Sequence, residues 1–72
     1  MRYDFHGVKL EEVDKIFDTL INNACNYRDP VIHIITGTGV IKDRVKYLSK
    51  EYGYEITEEL GNPGAMYLDL DS

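Results

Sequence analysis

Seventy-two residues make one domain near the lower size limit for a self-supporting core, and an apolar fraction of 43% excludes a disordered chain. The net charge of −5 argues against a generic nucleic-acid coat, and a single cysteine, Cys25, excludes an intrachain disulfide. With no apolar run near membrane-spanning length and no signal-peptide pattern, the composition fits a soluble, cytoplasmic protein without a membrane partner, read as a single domain over residues 1–72, either standing alone or belonging to a longer chain.

Arg2 to His6 alternates, with Tyr3 and Phe5 pointing one way and Arg2, Asp4 and His6 the other, which predicts a half-buried first strand ended by Gly7. Leu10, Val13, Ile16, Phe17, Leu20, Ile21 and Ala24 then form the apolar stripe of an amphipathic helix. Glu11, Glu12 and Asp14 suit its positive end, although Lys9 is a weak start. The helix frays from Asn22 to Tyr27 and stops at Asp29-Pro30, with Cys25 as a partly buried filler.

Val31 to Thr36 is near-continuously apolar, as in a central strand, with His33 on the face opposite Ile32 and Ile34 and beside Tyr67. Thr36-Gly37-Thr38-Gly39 follows. Ile41, Val45, Leu48 and Tyr52 then carry a helical period over about 40–52, stopped by Gly53. Thr38 is the expected N-cap. Tyr54 to Glu58 reads as a third strand, Gly61 to Gly64 as a loop, and Ala65 to Leu70 as a fourth strand with Met66, Leu68 and Leu70 inward and Ala65, Tyr67 and Asp69 outward, before an Asp71-Ser72 tail. The order βαβαββ predicts an α/β two-layer sandwich, a four-stranded mixed sheet with two helices on one face. Its core should hold Tyr3, Phe5, Val13, Phe17, Leu20, Ile34, Val45, Leu48 and Leu68.

Two features carry chemistry. In the first, the strand–glycine loop–helix unit, the glycines admit close backbone approach, and the amides and dipole of the new helix favour an anion such as phosphate. On shape alone, a plain connection whose glycines only make the turn is the better explanation, since short Gly-rich loops are common. Lys42, Arg44, Lys46 and Lys50 against Asp43 and Glu51 give residues 40–52 a local charge of +2, leaving −7 elsewhere, and Lys42, Lys46 and Lys50 form one helix stripe. The second is Asp4-x-His6, where a carboxylate stands beside an imidazole it could orient for acid/base work. Both features belong at the C-terminal edge of the sheet, where open α/β sheets receive ligands. A metal site from Asp4, His6 and His33 lacks typical zinc spacing, and Ser49 and Ser72 have no nucleophile context.

Tyr3-Asp4-Phe5-His6-Gly7-Val8 with Leu10-Glu11-Glu12-Val13 resembles the start of a Smr (small MutS-related) domain, in which Leu-Asp-Leu-His-Gly precedes the first helix. Ile34 to Lys42 resembles that family's second motif, His-Gly-x-Gly-Thr-Gly and then Val-Leu-Arg. The likeness spans nearly the whole chain, and it implies a fold resembling the C-terminal domain of translation initiation factor three. It also implies a nucleic-acid-binding domain, of DNA or RNA, with DNA-nicking or RNA-cleaving endonuclease activity. Asp4 and His6 would be catalytic, Thr36, Gly37, Thr38, Gly39, Lys42 and Lys46 would hold phosphate, and Mg2+ is a candidate cofactor. The His-Gly pair of the second motif is missing: either Ile34-Ile35 or Thr36-Gly37 occupies its place. The alternative is a non-catalytic nucleic-acid- or protein-interaction module with the same fold.

Overall fold

A computed structural model describes residues 1–71 of the chain. Its elements are β1 (Arg2–Asp4), a 3-10 turn (Leu10–Glu12), α1 (Val13–Asn26), β2 (Val31–Ile35), α2 (Val40–Glu51), β3 (Glu55–Glu59) and β4 (Asn62–Asp69). This is the expected βαβαββ order. The strands form one mixed sheet in the order β1-β2-β4-β3, with β1 parallel to β2 and β4 antiparallel to both β2 and β3. Ser72, set aside above as a nucleophile, lies outside the described residues. Among the described residues no helix is long and apolar enough to cross a membrane.

The alternation of β2 sends Ile32 and Ile34 to one face, where they pair in register with Leu68 and Met66 of β4; all four are fully buried. Both helices rest on this floor through Val13, Phe17, Leu20, Ile21 and Ala24 of α1 and Val45 and Leu48 of α2. Phe17 is fully buried and meets the Tyr52 ring edge-to-face at 5.0 Å. The core set from the sequence is buried except Tyr3, which is half-buried and packs edge-on against Phe5.

Where the boundaries differ, local chemistry explains it. Leu10 leaves the apolar stripe, 49% exposed, because the first turn is 3-10, steadied by the Lys9 amide donating to Glu12 Oε1 at 3.1 Å. The first helix does not fray at Asn22 but runs to Asn26, and Cys25 is exposed on its outer side, not partly buried. The loop expected over Gly61–Gly64 is mostly strand: β4 starts at Asn62, and the β3–β4 reversal is confined to Leu60 and Gly61. Ala65 lies on the open face as expected yet is fully buried, since its single methyl sits in the sheet beside Ile35.

Both helices end in a Schellman arrangement. In α2 the Gly53 and Tyr54 amides donate back to Lys50 and Ser49, with Gly53 at φ 81°. In α1 the Arg28 and Asp29 amides donate back to Cys25 and Ala24, and the left-handed position is held by Arg28 at φ 55°.

Phe17→Ala should lower stability by about 3–5 kcal/mol, because it removes a fully buried ring that the small core cannot refill; denaturant unfolding reads this directly. Arg28→Gly should raise stability by about 1 kcal/mol by relieving a left-handed conformation in a residue with a Cβ. An unchanged midpoint would show that the surrounding turn tolerates Arg28 without cost.

Candidate functional site

Parallel pairing brings the two sequence features to one edge. Asp4 lies opposite Ile35, and the Phe5 amide donates to the Ile35 carbonyl at 2.8 Å. His6-Gly7 and Thr36-Gly37 therefore leave the sheet side by side, each one step past the last shared rung.

The Asp4 carboxylate has a different task from the one its spacing suggests. Its Oδ1 accepts the backbone amide of His6 at 2.9 Å, so it shapes the turn rather than the imidazole. The turn closes with the Val8 amide on the Phe5 carbonyl at 3.0 Å. His6 is exposed, and among the described residues its ring has no hydrogen-bond partner.

The glycine loop is latched to β4. The Thr36 and Gly37 amides both donate to the Gly64 carbonyl, at 2.8 and 3.0 Å. Gly37 takes φ 74°, and a Cβ on Gly64 would stand 3.3 Å from the Gly37 Cα, so both positions favour glycine. Gly64 was not singled out from the sequence; only its place in a Gly-Asn-Pro-Gly cluster hinted at it. Gly39, not Thr38, is the N-cap of α2, and no side chain caps it. The latch explains the change, since it holds the loop to β4 through Thr36 and Gly37, and the Thr36 hydroxyl bonds to the Gly37 carbonyl at 2.9 Å. The amides of Val40, Ile41 and Lys42 precede the first intrahelical bond, Asp43 to Gly39 at 3.4 Å, and with exposed Thr38 and Gly39 they form the open, positive end of the helix.

The basic stripe is partly neutralised from within. Lys42 Nζ is ion-paired with Glu58 and donates to the Pro63 carbonyl at 2.7 Å, which ties α2 to the β3–β4 hairpin. The Lys42 ammonium donating to Glu58, with the charges of Lys42 and Lys46, holds the Glu58 carboxyl below its ordinary range. Arg44 grips Asp14 of α1 through two bonds of 2.8 and 2.5 Å, lowering the Asp14 carboxyl, and stacks on the Tyr47 ring at 4.9 Å. Lys46 and Lys50 stay exposed. The hydroxyl of Ser49 is buried and donates to the Val45 carbonyl.

A second polar group sits on the open sheet face. His33 stacks on Tyr67 at 4.6 Å, as the register implies, and its Nε2 lies 3.4 Å from Glu59 Oε1. Glu59 accepts the Tyr67 hydroxyl at 2.9 Å and the Asn62 amide at 2.9 Å; these bonds hold its carboxyl low, and Glu59 in turn raises Tyr67. The third strand runs Glu55–Glu59 and not Tyr54–Glu58, and Glu59 is the residue this shift of one adds to the sheet. His33 Nε2 is shielded from solvent and has no hydrogen bond among the described residues.

Asp4 is the one carboxylate of the predicted set at the loop edge, and among the described residues no three His, Cys, Asp or Glu side chains converge as a metal site. Asp4, His6 and His33 accordingly do not form a three-ligand metal site among the described residues. Three shallow depressions of about 330, 300 and 260 Å3 lie elsewhere on the surface, and neither His6 nor the loop lines any of them.

Compared with known proteins, the chain matches no family model, no curated protein and no solved structure.

Asp14, Asp29, Glu58 and Glu59 all have carboxyls held below their ordinary values, Asp29 by the N-terminal ammonium first. Such groups stabilise the fold above the ordinary carboxylate values of 3.8 to 4.5, and that contribution is lost as the pH falls below them. Melting temperature should therefore drop from about pH 4.5 downward, and Glu58→Gln should shrink the difference between melts at about pH 7 and pH 3. An equal drop in the variant would exclude the Lys42–Glu58 pair as a source.

Proposed function

We propose that this chain is a nucleic-acid-binding domain of Smr type, and that it receives a phosphodiester at the sheet edge formed by His6 and the Gly37–Gly39 loop. The observation that supports this reading is the shared rung of β1 and β2. It sends the segment with the exposed His6 and the glycine loop off the same sheet edge, and the loop leads into a helix N-terminus whose first amides have no intrahelical acceptor. The amides of Thr38, Gly39 and Val40 would meet phosphate oxygens, and Lys46 would add a screened attraction from the exposed helix face. Lys42 contributes by fixing where α2 begins, since its ammonium is engaged by Glu58 and Pro63. In a cleavage reaction His6 would be the general acid/base and the loop amides would hold the developing negative charge. Asp4 would keep the His6 backbone in place.

The competing reading is a non-catalytic interaction module. It is favoured by one observation: the Asp4 carboxylate is bonded to a backbone amide and leaves the imidazole without a buttress.

Labelled single- and double-stranded DNA and RNA, with and without Mg2+, distinguish the readings when binding and cleavage are scored together. His6→Ala should cut any cleavage by about 10²–10⁴-fold with binding nearly intact. Lys46→Glu should weaken binding to every sequence alike and reduce the salt slope by about one. Binding without cleavage in the wild type selects the module, and no binding to any of the four substrates rejects the proposal.

A further inference from the structure

The outer edge of β1 has a self-complementary character that the nucleic-acid reading does not use. β1 has β2 on one side and no strand on the other among the described residues. The His33 amide donates to the Met1 carbonyl and the Phe5 amide to the Ile35 carbonyl, each at 2.8 Å. Met1, Tyr3 and Phe5 thus turn their main-chain groups toward β2. By alternation, Arg2 and Asp4 turn their N–H and C=O groups outward.

We propose that two copies of this chain pair through β1, antiparallel and centred on Tyr3, and so join their sheets into one of eight strands. That register makes Arg2 of one copy and Asp4 of the other a hydrogen-bonded pair, twice over by symmetry, giving four main-chain hydrogen bonds. The same two pairs set a guanidinium opposite a carboxylate on the open face. Arg2 has no ion pair among the described residues, and Asp4 uses Oδ1 for His6, which leaves Oδ2 for the incoming Arg2. Tyr3 becomes the close, non-hydrogen-bonded pair at the two-fold axis. Its ring borders a depression of about 300 Å3 whose apolar floor is Ile16 and Leu20 and whose rim carries Lys15, Thr19 and Asn23. Pairing covers this depression in both copies.

The other free edge does not offer this. An antiparallel copy on β3 centred on Thr57 would set Glu55 opposite Glu59, carboxylate against carboxylate, and like charges opposite each other destabilise a strand pair. Arg-Tyr-Asp is self-complementary under reversal, whereas the β3 sequence is self-repelling.

A three-residue strand with one helix flank is a small interface, so the dimer belongs to the weak, concentration-dependent class. Sedimentation of the intact chain from micromolar to about 1 mM should show the mass rise from 8.3 kDa toward twice that value. Arg2→Asp should weaken association at least about tenfold, and Asp4→Arg should do the same, because each alone sets like charges opposite one another. Mixed in equal amounts, the two variants should associate again, since each cross-strand pair in the mixed dimer is of opposite charge. Arg2→Pro, which removes an outward amide and no bond to β2, should abolish pairing by a route independent of charge. A wild type that stays monomeric at about 1 mM overturns the proposal. So does undiminished association in Arg2→Asp, or a mixture that fails to associate although both variants keep the wild-type circular dichroism.

Discussion

Four fully buried side chains, Ile32 and Ile34 of β2 with Met66 and Leu68 of β4, form the floor on which both helices rest. Period-two alternation makes this a one-sided arrangement. Every residue that sends an apolar side chain into the core leaves its neighbours on the other face. Among the described residues that second face has no covering layer, so its polar side chains look for partners within the sheet. Tyr67 and Asn62 do so by donating to the shared Glu59 carboxylate, and the His33 ring stacks on Tyr67.

The same economy governs the charges. A helix that looks basic in sequence is, in space, fastened by its own cations: Lys42 to the β3–β4 hairpin and Arg44 to α1. Exposed pairs of this kind contribute little to stability individually, but they fix where α2 stands relative to its neighbours. That placement sets the direction in which the helix N-terminus points, and with it the geometry available to an anion at the sheet edge. Local net charge in a sequence window is therefore a poor measure of the field that a ligand would meet.

The architecture was legible because its signals were redundant. Element order, the buried faces of β2, α1 and α2, and the position of His33 beside Tyr67 all follow from periodicity, which is a local property. What escaped depended on contacts between distant segments. Thr38 looked like the cap of α2, but the bonds from Thr36 and Gly37 to the Gly64 carbonyl decide the path of the loop, and Gly64 lies more than twenty residues away. Asp4 looked like a partner for an imidazole two residues on, yet the nearer backbone amide captured it. Glu58 and Pro63, which hold Lys42, belong to a hairpin that no feature near Lys42 announces. Spacing indicated which residues meet at the edge, but not which of them already had partners.

The strand order β1-β2-β4-β3 also constrains the sequence of events in folding. β4 is the last strand along the chain and sits in the interior of the sheet, between β2 and β3. Until residues 62–69 are available, β3 has no strand to pair with and β2 has only the three-residue β1. The first β-α-β unit can form from nearby residues, but the floor beneath α2 is incomplete without Met66 and Leu68. A nascent chain interrupted before Asn62 would leave Ile32 and Ile34 with an open strand edge beside them, the kind of surface that recruits other chains. On a growing chain, completion of this sheet therefore waits for residues 62–69, which complete the core and bring Gly64 against the glycine loop.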